Sequence, residues 1–310
     1  MTPFANLLQV AVVLSIASVV LGAFGRWHFL PDLLCHFRFQ ATATLIVAGT
    51  MLWLLKRTRW SIASLFFGGI LLFSLADYIV PATNSGPADY RLLTMNVLTS
   101  NPEKQRVTDY IVAEDPDFIL LQEINESWVT HLDERLGGTW PYSKTIPRDD
   151  NFGIGIYSKL PWSQIDVVQY ANEITTPTIS SSFDLPGGKK LRVVVTHPVP
   201  PIGGDYWRSR NEHFVAIASD VVSGISERTI VAGDLNCTPW SWHFRELVRR
   251  SRLRNSAKGF GPSISWSPTS LTVFGLPIDH VLVGEAITIR DRVVGPHLGS
   301  DHRPIIVDFD

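Results

Sequence analysis

Cysteine is scarce in this 310-residue chain, which has only Cys35 and Cys237. One pair cannot make a disulfide framework, and no Cys/His spacing of a zinc site is present, so both are expected as free thiols. Charge is scarce as well, at 18% of residues against 45% hydrophobic, and it is unevenly spread. Residues 1–81 hold five Lys or Arg and two acids; of 27 basic and 29 acidic residues in all, 22 and 27 are left for 82–310, a net charge of −5. That balance lowers the expectation of tight polynucleotide binding, which draws most of its affinity from neutralising phosphates. The chain contains no internal repeat and no low-complexity tract.

What the first 81 residues have instead is apolar length. Phe4 to Gly25 runs 22 residues without a charge, and Phe39 to Leu55 and Trp60 to Ala76 run 17 each. A membrane-spanning helix needs about 20 largely apolar residues, with about 17 the lower limit. Three spans are expected, over about 4–25, 39–55 and 60–80. A cleaved signal peptide fits the first stretch less well, because "MTPFANLLQ" offers no Lys or Arg for a basic n-region. The loop "KRTR" (56–59) places three cations on the cytoplasmic side by the positive-inside rule. The N-terminus is then cytoplasmic and everything after residue 81 lies outside. These spans carry no buried ionisable relay of the kind pumps use, so they are expected to anchor rather than transport.

"PATNSGPADY" is a linker by composition, placed at 82–89. From residue 90 onward short β-rich runs alternate with turns: "YRLLTMNV", "DFILLQE", "NFGIGIYS", "IDVVQY", "TISSSFDL", "KLRVVVTH", "TIVAGDLN", "IDHVLV", "ITIRDRVV" and "PIIVDF". Two helices are clear. In "SRNEHFVAIASDVVSGI" the residues Phe214, Ile217, Ala218, Val221, Val222 and Ile225 share one face, and "SWHFRELVRRS" groups Phe244, Leu247 and Val248, with Ser241 as N-cap. Many strands with few helices predict an α/β domain in which two packed sheets are flanked by helices.

The polar residues stand at the strand ends. Asn96 closes "LLTMN", Glu123 closes "ILLQE", His197 closes "RVVVTH", and Asp234 and Asn236 close "IVAGDLN". Asp279 opens "IDHVLV", while Asp301 and His302 precede the last strand. Each has an ordinary explanation as a turn or cap residue. Together at one sheet edge they form an oxygen-rich kit suited to a hard divalent cation such as Mg²⁺ or Mn²⁺. His280, one residue on from Asp279, points to the opposite face and is expected to be structural. Asn211 is expected to cap a helix in preference to Arg210 reaching a phosphate. Cys237 is expected to pack, and Trp207, Trp240, Trp242 and Trp266 are split between core, substrate groove and bilayer surface.

In this order and spacing, "MNV", "LQE", "TH", "GDLN", "IDHVLV" and "GSDHRPIIVDF" resemble the endonuclease/exonuclease/phosphatase superfamily over about residues 88–310. "GDLNCTPWS" and "THPVPP" look most like a bacterial membrane-anchored branch. The resemblance implies a four-layer α/β sandwich with two mixed sheets, a catalytic domain at 90–310, and metal-dependent phosphoester hydrolysis. It implies Glu123 as the main Mg²⁺ ligand (Mn²⁺ a possible substitute), with Asn96 beside it and Asp301 completing or supporting the site. It implies Asp234 as the group that activates water, and Asn236 as a donor to a phosphate oxygen. His302, held by Asp279, would bind the phosphate, and His197 would be a second phosphate ligand or a proton donor. The expected enzyme is a phosphodiesterase of nuclease type, with a lipid head-group hydrolase and a catalytically idle binding module as alternatives. Its partners are then a phosphoester substrate and the bilayer of a bacterial inner membrane, with no protein partner inferred.

Overall fold

A computed structural model describes residues 3–81, 86–170, 174–224, 228–269 and 271–310. Residues 82–85 of the expected linker and Ile225 of the expected helix face lie outside the described residues. Helices α1 (Pro3–Gly22), α2 (Phe29–Cys35), α3 (Arg38–Leu54), α4 (Thr58–Ser74) and α5 (Ala76–Ile79) precede strand β1 (Tyr90–Asn96). Then follow α6 (Lys104–Glu114), β2 (Phe118–Gln122), α7 (Glu126–Leu136), β3 (Tyr142–Ile146), β4 (Ile154–Ser158), β5 (Trp162–Gln169), β6 (Pro177–Asp184) and β7 (Lys190–Thr196). The chain closes with α8 (Gly204–Ser223), β8 (Thr229–Asp234), α9 (Trp242–Ser251), β9 (Arg254–Asn255), β10 (Asp279–Val283), β11 (Ile289–Val294) and β12 (Ile305–Phe309).

The strands form two six-stranded mixed sheets, in the orders β11-β12-β1-β2-β4-β3 and β5-β6-β7-β8-β10-β9. Each is antiparallel apart from one central parallel pair, β1 with β2 and β7 with β8. A strand buried on both faces needs a continuous apolar run, and "FILL" of β2 supplies one. Leu92, Phe118, Leu120, Val193, Val195, Ala232, Val281 and Val307 fill the space between the sheets. Residues of opposite parity on the same strands face outward, Leu93, Ile119 and Leu121 toward α6 and α7 and Val194 and Val231 toward α8 and α9. The result is the expected layering of helix, sheet, sheet, helix. The sequence patterns missed β3 and β9, and also α6 and α7, whose polar faces dilute the apolar periodicity.

The N-terminal region differs from expectation. Its three apolar stretches are helical, yet among the described residues only α1, at 20 residues, is by itself long and apolar enough to cross a membrane. The second stretch breaks: α2 and α3 meet at a bend of 57° and qualify only as a pair, and α4 is a 17-residue apolar helix. At 1.5 Å per residue α1 covers about 30 Å and α4 only about 26 Å. The expected three spans thus reduce to one helix of full length. Val12, Ala41, Leu45, Ala48, Leu52 and Leu71 lock α1, α3 and α4 together, while Leu7, Leu14, Phe66 and Phe73 point outward uncovered.

Candidate active site

The two central parallel pairs end at the same edge of the sandwich, and the polar residues gather there. Asn96 is the last residue of β1, Glu123 follows β2, His197 follows β7 and Asp234 ends β8. Antiparallel β10 sets Asp279 directly opposite Asp234 in register. Trp266 forms a bridge to His302 that brings the segment before β12 to the same edge.

Backbone geometry is specialised here. Gly233 has φ +138°, and a Cβ on it would lie 2.1 Å from the Thr196 carbonyl oxygen, so β7 and β8 approach this closely only with glycine. Glu123 (φ 62°) and Asn236 (φ 48°) both occupy the left-handed region, uncommon for residues with a side chain. Such conformations persist where surrounding contacts over-determine them, and they cluster at working sites. The Thr99 hydroxyl donates to the Glu123 carbonyl (3.0 Å), and the Asn236 amide donates to Asp234 Oδ1 (2.8 Å).

The side chains converge on one another. Asn96 Nδ2 donates to Glu123 Oε1 (2.8 Å) and to Asp234 Oδ2 (3.2 Å). Asp234 Oδ2 also lies 3.3 Å from His197 Nε2 and 3.6 Å from His302 Nε2. His302 Nδ1 is 2.9 Å from Asp279 Oδ2, and Asn236 Nδ2 is 3.3 Å from His197 Nε2. Asp301 stands at the rim, where its Oδ2 accepts from the Trp266 indole (2.9 Å). Seven of the eight expected residues are therefore linked by direct contacts, with Asp301 adjoining through the chain.

The electrostatics divide the carboxylates. Burial opposes ionisation of Asp234, but the His302 and His197 imidazoles outweigh it and hold the carboxyl down at about 2. Burial likewise opposes a charged His302, but the Asp279 and Asp234 carboxylates raise it to about 10. Glu123 is raised by burial and has no Lys or Arg partner among the described residues. A half-buried acid without a Lys or Arg partner, beside an amide and a second acid, is the donor chemistry a hard divalent cation takes. Asp234, Asp279 and His302 also present ligand atoms within 4.8 Å of one another. Asp279 Oδ1 and His197 Nδ1 are buried without a hydrogen-bond partner, so the site holds polar capacity the chain itself does not use. The residues fit a bound metal ion.

Other expectations resolve plainly. His280 is structural, its Nε2 donating to the Cys237 carbonyl (2.7 Å), with burial depressing it to about 4. Cys237 packs in the core between sheet and helices. Asn211 does not cap a helix, because α8 begins five residues earlier than the apolar pattern showed, at Gly204, and Arg210 is turned to Asp32. Ser241 precedes α9 but makes no capping hydrogen bond; its hydroxyl is turned to Asp32 (2.8 Å). Trp240 is buried against Phe39 and Trp242 lies under Arg26, so both face the N-terminal helices; Trp207 packs edge-on against His243, and Trp266 stands at the site.

A sequence profile of the Endonuclease/Exonuclease/phosphatase family matches residues 93–302. The chain belongs to this family, and it is a phosphoester-hydrolysing enzyme. Solved structures share its fold. An endonuclease/exonuclease/phosphatase from Beutenbergia cavernae superposes with a TM-score of 0.59 at 20% identity, covering 72% of this chain and 71% of the other. Sphingomyelinase C from Streptomyces griseocarneus gives 0.55 at 16% identity, with 72% and 99% covered. A 3'-5' exonuclease from Neisseria meningitidis gives 0.58 at 17%, with 71% and 99% covered. Among proteins of curated function, none matches this chain.

Proposed function

We propose that this enzyme is a metal-dependent phosphodiesterase held at a membrane surface by its N-terminal helices, with a bilayer lipid head group as its substrate. The observation that carries the chemistry is the meeting of Asp234 with Asn96, His197 and His302 at one sheet edge. Glu123 and Asn96 would hold the ion, with Asp301 in support. Mg²⁺, or Mn²⁺ in its place, would supply neutralisation of the phosphate charge and stabilisation of the leaving oxygen.

The remaining groups divide the work. Asp234, kept ionised, accepts a hydrogen bond from the attacking water, orients it opposite the leaving group and takes its proton as the bond to phosphorus forms. Asn236 and charged His302 donate to non-bridging oxygens, where negative charge grows in the transition state. Asp279 holds His302 in its orientation and keeps it charged. His197, between Asp234 and Asn236, serves as a further phosphate donor or protonates the leaving group.

The acidic balance of 82–310 weighs against the nuclease type expected from the sequence, and an apolar tip weighs for lipid. Leu271 (60% exposed), Val273 (62%) and Phe274 (56%) project from the segment that starts at Trp266, the bridge partner of His302. Gln40, in the first turn of apolar α3, donates to the carbonyls of Val273 (3.2 Å) and Gly275 (2.9 Å). The tip therefore stands beside the catalytic groups and level with the start of an apolar helix. Such a patch next to the site matches a substrate presented by the bilayer. In the accompanying topology α1 crosses the bacterial inner membrane with the N-terminus cytoplasmic, and the catalytic region lies outside. Asp32 and Asp77, the acids of the N-terminal region, contact the catalytic region on that same side.

The test uses the full chain in detergent, offered plasmid DNA, RNA, sphingomyelin vesicles, phosphatidylinositol phosphate vesicles and bis(4-nitrophenyl) phosphate, with Mg²⁺, Mn²⁺ or chelator. Turnover of a lipid substrate and of the chromogenic diester, lost with chelator, is expected. Efficient cleavage of nucleic acid alone would move the reading back to a nuclease. No turnover of any member would leave an idle binding module. A reporter fused after residue 310 tests the topology; it should be active only outside the cytoplasm, and activity inside overturns it.

A further inference from the structure

Asp32 and Arg210 stand 178 residues apart, yet Arg210 Nη2 lies 2.6 Å from Asp32 Oδ2. Both side chains are fully buried, at 0% exposure. Asp32 belongs to α2, in the N-terminal helical region; Arg210 belongs to α8, in the catalytic region. The arginine continues the chain of contacts, with Nη1 donating to the Asn236 carbonyl (3.4 Å) and Nη2 to Asn211 Oδ1 (2.7 Å). Asp32 uses its second oxygen to accept from Ser241 (2.8 Å).

The neighbouring residue His36 acts on the same loop. Its Nδ1 accepts from the Thr238 hydroxyl (2.8 Å) and amide (3.4 Å), and its carbonyl accepts from the Trp240 indole (3.1 Å). Burial depresses this imidazole to about 4, which keeps Nδ1 available as an acceptor. Residues 235–241, which carry Asn236 from Asp234 to α9, are thus gripped at 236 by Arg210, at 238 and 240 by His36 and at 241 by Asp32. Asp32, Cys35 and His36 lie close enough together to hold an ion. The Asp32 oxygens and His36 Nδ1 are already engaged, however, so the cluster serves as a clasp.

A buried ion pair is a poor device for stability alone. Removing two charges from water costs several kcal/mol each, and apolar residues of similar volume often do as well or better. What such a pair provides is direction: a planar guanidinium fixes the atoms it binds in one geometry. Here one of those atoms is the carbonyl of Asn236, whose φ of 48° needs outside support.

We propose that Asp32 is a positioning residue for the hydrolytic reaction, acting through Arg210 on Asn236, so that the N-terminal helical region completes the active site as well as anchoring it. The inference rests on Asn236 being a phosphate-holding residue as argued above. A loop misplaced by about 1 Å can cost about 100-fold in rate without removing any catalytic group.

The test is carried out on the full chain in detergent with bis(4-nitrophenyl) phosphate and Mg²⁺. Asp32→Asn should lower kcat about 10- to 100-fold with KM changed less than about threefold, in the range expected for misplacement. Hydrogen exchange of the 235–241 peptide should quicken while that of the peptide around Glu123 does not. Arg210→Lys keeps the charge but loses the fork, and should behave the same way. The double variant Asp32→Leu/Arg210→Met should recover thermal stability but not kcat. Full kcat in the double variant, or in folded Asp32→Asn with unchanged exchange at 235–241, would overturn the proposal. Loss of turnover in Asp234→Ala and Glu123→Ala is measured alongside; if those two retain activity, the reading of the site itself has failed, not the coupling.

Discussion

His302 Nδ1 and Asp279 Oδ2 lie 2.9 Å apart at the edge of the second sheet, with both residues buried. The pair keeps an imidazolium in a place where burial alone would discharge it. Because the folded-state value is raised from 6.5 to about 10, its contribution to stability is complete below about pH 6.5 and is lost as pH rises toward 10. The thermal midpoint, measured in chelator, should fall across that window, and Asp279→Asn should flatten the fall. An unchanged slope in the variant would assign the pH dependence elsewhere.

Asp234→Asn keeps the size and hydrogen-bonding reach of the side chain but removes the charge proposed to orient the water and accept its proton. Turnover should drop by about 100- to 10,000-fold, the usual range for a general base. The thermal midpoint should change far less than activity, which circular dichroism on the same samples checks. A variant within tenfold of the parent would remove Asp234 from its role.

Gly233→Ala addresses the frame rather than the chemistry. The added methyl meets the Thr196 carbonyl at 2.1 Å, and φ +138° is strained for any L side chain. Destabilisation of about 3 kcal/mol or more is expected, read as a shift in the urea midpoint. A loss below about 1 kcal/mol would mean that β7 and β8 can separate at no great cost.

The apolar tip separates substrate presentation from chemistry. Charges introduced as Val273→Asp and Phe274→Asp should cut turnover of vesicle lipid by at least tenfold more than turnover of bis(4-nitrophenyl) phosphate. Equal effects on both substrates would detach the tip from the bilayer and remove the main support for a lipid substrate.

Much of the convergence at this site was legible in the sequence because each of these strands is an apolar run with a polar residue at its end. Asn96, Glu123, His197, Asp234 and Asp279 needed only the assumption that the strand ends share an edge, and the family resemblance supplied their order. Asp301 was less well placed, since nothing local announces that its carboxylate turns to Trp266. Asn211 failed as a cap because the apolar pattern reports local periodicity and not the helix start, and no local signal pairs Arg210 with Asp32, which tertiary docking brings in. Ser241 failed as a cap for the same reason: a distant carboxylate competes for its hydroxyl. The helices α6 and α7 escaped because Lys, Arg, Glu and Gln on their outer faces leave few apolar positions. The break between α2 and α3 is a matter of geometry that hydropathy alone does not register.

The account stands most directly on metal-dependent turnover at Glu123. The full chain is assayed on bis(4-nitrophenyl) phosphate with Mg²⁺, with chelator, and as Glu123→Gln. Hydrolysis that is abolished by chelator, restored by added Mg²⁺ and lost by at least about 100-fold in the variant is the expected result. Hydrolysis that proceeds equally in chelator, or equally in Glu123→Gln, would contradict it.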